Sequence, residues 1–121
     1  MLQKESILKV ADNSGAKIVK IIGVLNTKKK YFSIGDIIKI SVKEKNKKSL
    51  IKKGKISKAL IIRVKKKIKR KDGSYISFDD NACILLNSKN IMRGSRIIGP
   101  IAREIKCNKF KKINLISKNI Y

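Results

Sequence analysis

The chain contains no His and no Trp, only one Pro and two Cys, and three Tyr with three Phe make up all its aromatic residues. Acidic residues number 8 against 32 Lys plus Arg. Each scarcity excludes something. Without His there is no ordinary general base, proton shuttle or imidazole metal ligand. No Ser–His or Cys–His pair can be assembled, and a Ser–Lys pair cannot be read from the abundance of Ser and Lys. Cys83 and Cys107 are 24 positions apart, which matches neither a zinc spacing nor a C-x-x-C redox motif. Cys83, in an apolar run, reads as a small buried hydrophobe, and Cys107, in a basic segment, as a free thiol. No apolar run approaches the ~18 residues of a membrane helix. The opening residues Met1-Leu2-Gln3-Lys4-Glu5 lack both a charged segment leading into an apolar one and an Arg/Ser-rich amphipathic leader. The expectation is a protein made where it works, in a reducing compartment.

What is present is positive charge on a chain able to fold. The net charge is +24 over 121 residues, with 42% hydrophobic residues. That apolar content is too high for a disordered polycation and suffices for the core of one domain. A folded domain so charged calls for a polyanionic partner, because its self-repulsion is otherwise uncompensated. Lys outnumbers Arg 27 to 5, and Ile alone contributes 23 residues. This Ile, Lys and Asn bias reads as AT-rich coding, as in a reduced endosymbiont or an organelle, so part of the Lys excess is compositional drift. Half of it would still be large.

The apolar pattern is mostly period two, rich in β-branched residues and bounded by Gly, Asn and Asp turns. Strands are predicted at Ile7 to Val10, Ala16 to Val24, Ile37 to Val42, Ala59 to Val64, Tyr75 to Phe78 and Ala82 to Leu86. Ala59 to Val64 and Ala82 to Leu86 are nearly all apolar and read as strands buried on both faces. Asp12-Asn13-Ser14-Gly15 and Gly35-Asp36 are turns. Lys65 to Lys71 continues the fourth strand with charge on both sides, and Asp72-Gly73 reads as a type I′ hairpin turn. Lys43 to Lys55 reads as a long basic loop anchored by Leu50 and Ile51. Pro100 fits the first position of a helix carrying Ile101, Ala102 and Ile105 at helical spacing, with a second short helix or irregular tail over Lys109 to Ile116. The resulting fold class is all-β: a small five-stranded barrel with a late helical appendix. It forms a single domain over residues 1–121, the barrel over about 1–98 and the C-terminal segment over about 99–121.

The basic residues fall in four groups, which supply the candidate nucleic-acid contacts. These are Lys28, Lys29 and Lys30; the cluster from Lys43 to Lys58, with Lys43, Lys45, Lys47, Lys48, Lys52, Lys53 and Lys55 as contacts; Arg63, Lys65, Lys66, Lys67, Lys69, Arg70 and Lys71; and Arg93 and Arg103, near Arg96, Lys109, Lys111 and Lys112. Most lie on loops or hairpin ends, where a rigid barrel can project them. Lys is a point charge suited to phosphate oxygens, and Arg can bind them in bidentate fashion. Any single Lys reads better as a solvated surface charge; the set does not, because so many like charges on one small surface repel. Charge alone does not separate RNA, DNA and an anionic membrane, although a peripheral membrane protein needs a basic amphipathic helix, for which only Ile101 to Ile116 is available.

The few aromatics argue against sequence reading of loose single strands, which uses interleaved stacking platforms, and for recognition of folded RNA by shape and phosphate. Phe32, Tyr75 and Phe78 would have to be exposed on one sheet face for a free single-strand chaperone. Asp12, Asp36, Asp72, Asp79 and Asp80 all lie at turns. Asp79-Asp80 could pair as metal ligands or catalytic carboxylates, which predicts a concave pocket around them; the plainer reading is turn residues bonding nearby amides. Gly94-Ser95-Arg96 with Gly99-Pro100 is Gly-rich but lacks a phosphate-loop signature. No cofactor and no metal are implied.

Several segments together carry a resemblance. V-A-D-N-S-G-A at Val10 to Ala16, I-G-D-I-I at Ile34 to Ile38, S-V-K-E at Ser41 to Glu44, A-L-I-I at Ala59 to Ile62, D-G-S-Y-I-S-F-D-D-N-A at Asp72 to Ala82 and G-S-R-I-I-G-P-I-A-R-E at Gly94 to Glu104 follow one another in order. This set resembles the universal large-subunit ribosomal protein fourteen, bacterial or organellar type, from residue 1 to about 117. Lys stands at many positions where the family has Arg, and the loop Lys45 to Lys52 is more basic than is usual. The resemblance implies a five-stranded β-barrel with a projecting β-ribbon and small C-terminal helices, acting as a structural constituent of the large ribosomal subunit and not as an enzyme. It implies binding to large-subunit rRNA, a bridge to small-subunit rRNA, contact with the third and nineteenth large-subunit proteins, and docking of a ribosome-silencing factor. The ribbon would span Arg63 to Lys71 and Tyr75, around Asp72-Gly73, and Gly94, Ser95, Arg96 and Lys112 would lie near the interface face. The location implied is the ribosome, in a bacterial cytoplasm or an organelle matrix.

Overall fold

A computed structural model describes residues 2–24, 31–48 and 51–105. The strands are β1 (Ile7–Val10), β2 (Ala16–Val24), β3 (Ile37–Lys45), β4 (Ile56–Arg63), β5 (Ile68–Lys69), β6 (Tyr75–Ile76) and β7 (Ala82–Leu86). Strands β1-β2-β3-β4-β7 close into a barrel, and β5 and β6 form a separate two-stranded ribbon. The pairings are antiparallel except where β1 meets β7 in parallel, Lys9 opposite Ala82 and Val10 opposite Cys83, which closes the barrel and leaves it no open edge.

Alternation decides what goes inside. Leu8, Val19, Ile21, Ile38, Ile40, Val42, Ala59, Ile61, Cys83 and Leu85 project inward, joined by Leu2, Phe32, Ile51 and Val64. A second core lies outside the barrel. Leu60 and Ile62 on β4 and Ala82, Ile84 and Leu86 on β7 pack against Ala11, Met92, Ile101 and Ile105. These two strands are therefore apolar on both faces, as their unbroken runs predict, and each fully buried Ile or Leu contributes roughly 1.5–3 kcal/mol. The covering layer is the segment from Met92 to Ile105.

Three local expectations are corrected. The helix over Pro100 to Cys107 is, within the described residues, one 3-10 turn at Arg103–Ile105; Ile101 and Ile105 are buried against the sheet, so their spacing served packing and not a regular helix. Asp72-Gly73 is not a two-residue type I′ turn, which needs positive φ at both positions. Only Gly73 is left-handed, at φ 89°. Its amide bonds Arg70 O while Arg70 N bonds Ser74 O, making a three-residue connection. Lys65 to Lys67 is not strand: the ladder stops at Arg63 and resumes at Ile68. Lys28 to Lys30, Leu50, Cys107 and the second helix over Lys109 to Ile116 lie outside the described residues, as does Lys112.

Candidate nucleic-acid interface

The basic side chains project from a scaffold whose turns are tied by the few acidic and amide residues. In the first turn, Asp12 is buried and accepts from Ser14 N (3.0 Å) and, across the barrel wall, from Leu85 N (2.9 Å). Asn13 Oδ1 accepts from Ser95 N (2.7 Å) and Arg96 N (3.1 Å), and its amide nitrogen donates to Ser95 Oγ. Gly94 is required there: a Cβ would sit 2.8 Å from Asn13 Oδ1. Gly94, Ser95 and Arg96 are thus held as one rigid loop on the Asp12–Asn13 turn, with Gly94 buried and Ser95 and Arg96 facing solvent. Asp36 accepts from Ser33 N (2.8 Å), and Asp72 from Ser74 N (3.0 Å) and Ser74 Oγ (2.6 Å). The Ser74 hydrogen bonds hold the Asp72 carboxyl below the usual carboxylate range, helped by the Arg103 and Arg70 charges.

Arg63 has a role its place in a basic run does not suggest. It is 7% exposed. Pairing between β4 and β7 slips after Ile61, so that Arg63 lies opposite Ala82. The bulge reverses the alternation: Ile62 belongs to the outer layer and Val64 to the barrel interior. It aims the guanidinium at the covering layer, where Nη1 donates to Ile98 O (2.9 Å) and Pro100 O (3.1 Å) and Nε lies 2.9 Å from Asp80 Oδ1. Asp80 therefore neutralises a buried Arg, where turn bonding to nearby amides was the plainer expectation; Asn81 does the latter, accepting from Lys65 N (2.9 Å). A concave cleft of about 670 Å³ does adjoin Asp79 and Asp80, lined also by Tyr75, Phe78 and Pro100. Among the described residues no three His, Cys, Asp or Glu side chains group as a metal site. Cys83 is fully buried, and burial, with Asp12 nearby, pushes its thiol pKa far up.

The remaining candidate cations are displayed. Lys43, Lys47, Lys48, Lys52, Lys53 and Lys55 are exposed around the β3–β4 connection, and Lys45 is half-buried. Buried Ile51 pins that connection to the interior core. Lys65, Lys66, Lys67, Lys69 and Lys71 are exposed on the ribbon and its approach, with Arg70 half-buried. Arg93 and Arg103 are exposed, Arg103 lying 3.9 Å from Asp72. The fold also recruits lysines outside the predicted set. Lys39 borders one concavity with Lys55, Lys58 and Arg93, and Lys4 and Lys20 border another with Lys43. Lys20 and Lys39 were detectable as outward positions of β2 and β3; that they meet the loop residues depended on strand order.

Of the aromatics, Phe32 is buried in the core, Phe78 is half-buried, and Tyr31 and Tyr75 are exposed. Tyr75 stands on the ribbon and Tyr31 between β2 and β3, so among the described residues no single sheet face carries a row of them.

A closed five-stranded barrel with a separate two-stranded ribbon, built on turns that coincide with the sequence motifs, is what the resemblance predicts. The family model described as ribosomal protein L14p/L23e matches residues 1–121, the whole chain. The chain belongs to the ribosomal protein L14p/L23e family, the structural proteins of the large ribosomal subunit, and its place is the ribosome.

Proposed function

We propose that the chain binds large-subunit rRNA through the β3–β4 connection and the ribbon, and that the Gly94-Ser95-Arg96 loop, with Lys112, faces the small subunit and its rRNA. The observation that carries this is the separation of roles among the cations. Arg63 is consumed internally, while Lys43, Lys47, Lys48, Lys52, Lys53, Lys55, Lys65, Lys66, Lys67, Lys69 and Lys71 are exposed with no acidic partner among the described residues. Phosphates supply the missing counter-charge, and the barrel holds the loops in register to receive them. The third and nineteenth large-subunit proteins and a ribosome-silencing factor are the protein neighbours this reading expects. The work is structural: the chain positions RNA and performs no chemistry.

Two measurements test the reading. Tagged protein should cosediment with large subunits; a stable, soluble chain persistently absent from them refutes it. Binding to purified large-subunit RNA should weaken with salt at a log–log slope of roughly −0.7 to −0.9 per neutralised phosphate, so about six contacts cost ~10³ in affinity between 50 and 200 mM salt. A slope near zero would remove the phosphate mechanism.

A further inference from the structure

We infer that the cleft between the base of the ribbon and the Ile98-Gly99-Pro100 segment takes one unstacked nucleobase of the bound RNA. This rests on the RNA-binding reading and extends it from phosphates to a base.

The cleft, about 670 Å³, lies in the size range of pockets that enclose small organic ligands, about 300–1,000 Å³. Its walls are apolar and aromatic. Tyr75 is 62% exposed and Ile98 64% exposed, although both are large apolar side chains with neighbours available. Phe78 and Pro100 complete the lining. Charges of both signs stand at the cleft. Tyr75 pairs across the ribbon with Lys69, so a cation stands beside the aromatic ring's strand position. Asp80 is spent on Arg63, but the exposed Asp79 carboxylate, also lining the cleft, has no hydrogen bond or ion pair among the described residues.

A phosphate would be repelled by that carboxylate and would gain nothing from Tyr75 or Ile98. A nucleotide fits both regions at once: its phosphate on the Lys69 side, its base face on Tyr75, and base N–H donors toward Asp79. Base–aromatic stacking is tolerant of sequence, whereas a carboxylate acceptor favours a base edge that donates, such as the amino group of cytosine or the N–H edge of guanine. The cleft is also prebuilt. Arg63 fixes Ile98 and Pro100 by their carbonyls, so its far wall does not have to be ordered at binding.

The chain has no Trp, so Tyr75→Trp installs a single indole with no background. The full chain carrying Tyr75→Trp is titrated with purified large-subunit RNA at low salt. The indole emission should be quenched several-fold, with affinity within about threefold of the parent. Tyr75→Ala should weaken binding by about ten- to a hundredfold, the loss expected of one stacked base, at an unchanged melting temperature. Asp79→Asn is the sharper variant. If only phosphates are contacted, removing a negative charge strengthens binding; if Asp79 accepts from a base, binding weakens. RNA binding with a normal salt slope, an unquenched indole and a neutral Tyr75→Ala overturns the base pocket while leaving the phosphate reading intact. Absence of RNA binding by the parent chain overturns both. Quenching seen only in assembled subunits, and not with RNA alone, assigns the cleft to a protein side chain and overturns the inference as well.

Discussion

Arg63 shows how far one residue's chemistry depends on its neighbours. In a run of Lys and Arg it looks like another phosphate contact. In the fold it is a buried cross-tie whose removal strands a carboxylate and two carbonyls. Losing one partner of a buried pair typically costs 3–5 kcal/mol, and Asp80, still 28% exposed, recovers part of that in water. Arg63→Ala should therefore destabilise the barrel by about 2–3 kcal/mol in urea unfolding. Arg63→Lys should recover only part of it, because an ammonium cannot span Asp80 and both carbonyls as a planar fork does. Gly99 belongs to the same device. Its φ is +86°, and a Cβ would run into Arg63 Nη1. Asp72 offers a titration. Its folded pKa is depressed, so the stability it contributes is present above the ordinary carboxylate pKa of 3.8 and is lost as pH falls through the lower folded value. A carboxyl-resolved NMR titration should place Asp72 below its ordinary value, and Ser74→Ala should move it back up, since the Ser74 hydroxyl is the largest cause.

At the scale of elements, the β3–β4 connection is a basic segment held at one apolar point. Ile51 is 5% exposed, whereas Lys52 to Lys55 around it are exposed. Backbone bonds from Gly54 N to Val42 O and from Val42 N to Lys55 O return the chain to the sheet. In the free protein, hydrogen exchange should be slow at Val42, Gly54 and Ile61 and fast at Lys47, Lys48, Lys66 and Lys67. Ile51→Ala should cost roughly 2–3 kcal/mol, toward the lower end for a buried Ile, and should speed exchange at Gly54 before it does so at Ile61. Uniform protection across Lys47 to Lys55 in the absence of RNA would contradict this arrangement. The strands themselves were easy to foresee from residues such as Ile37 to Val42, where apolar and polar positions alternate, and Ala82 to Leu86, where they do not. The ribbon connection was not. Asp72-Gly73 satisfies a two-residue turn and a three-residue turn equally well, and the choice falls to the Arg70–Ser74 backbone pair.

For the whole molecule the governing fact is a net charge of +24 on one small surface. Electrostatics at this scale depend on where charge is concentrated. Reversing Lys65, Lys66 and Lys67 to Glu should weaken binding to large-subunit RNA far more than the same reversal at the exposed Lys9, Lys17 and Lys89, which removes equal charge from scattered positions. Filter binding at two salt concentrations separates the outcomes: the ribbon variant should lose salt slope by up to three contacts, the scattered one by fewer. Equal losses would mean that charge acts diffusely and that the ribbon is not a contact.

The sequence by itself determined the five barrel strands, the need for a polyanionic partner and the family. Alternation of apolar residues, excess charge and ordered motifs are local properties that a chain carries before it folds. Tertiary structure alone decided that β1 closes on β7, that Arg63 is buried under the covering layer while Lys69 is exposed, and that Tyr75 and Asp79 share a cleft. Those outcomes depend on a one-residue slip between β4 and β7 and on a covering layer drawn from about thirty positions further along the chain. Contacts of that separation are set by competing burial free energies across the whole barrel, and no window of local sequence contains them.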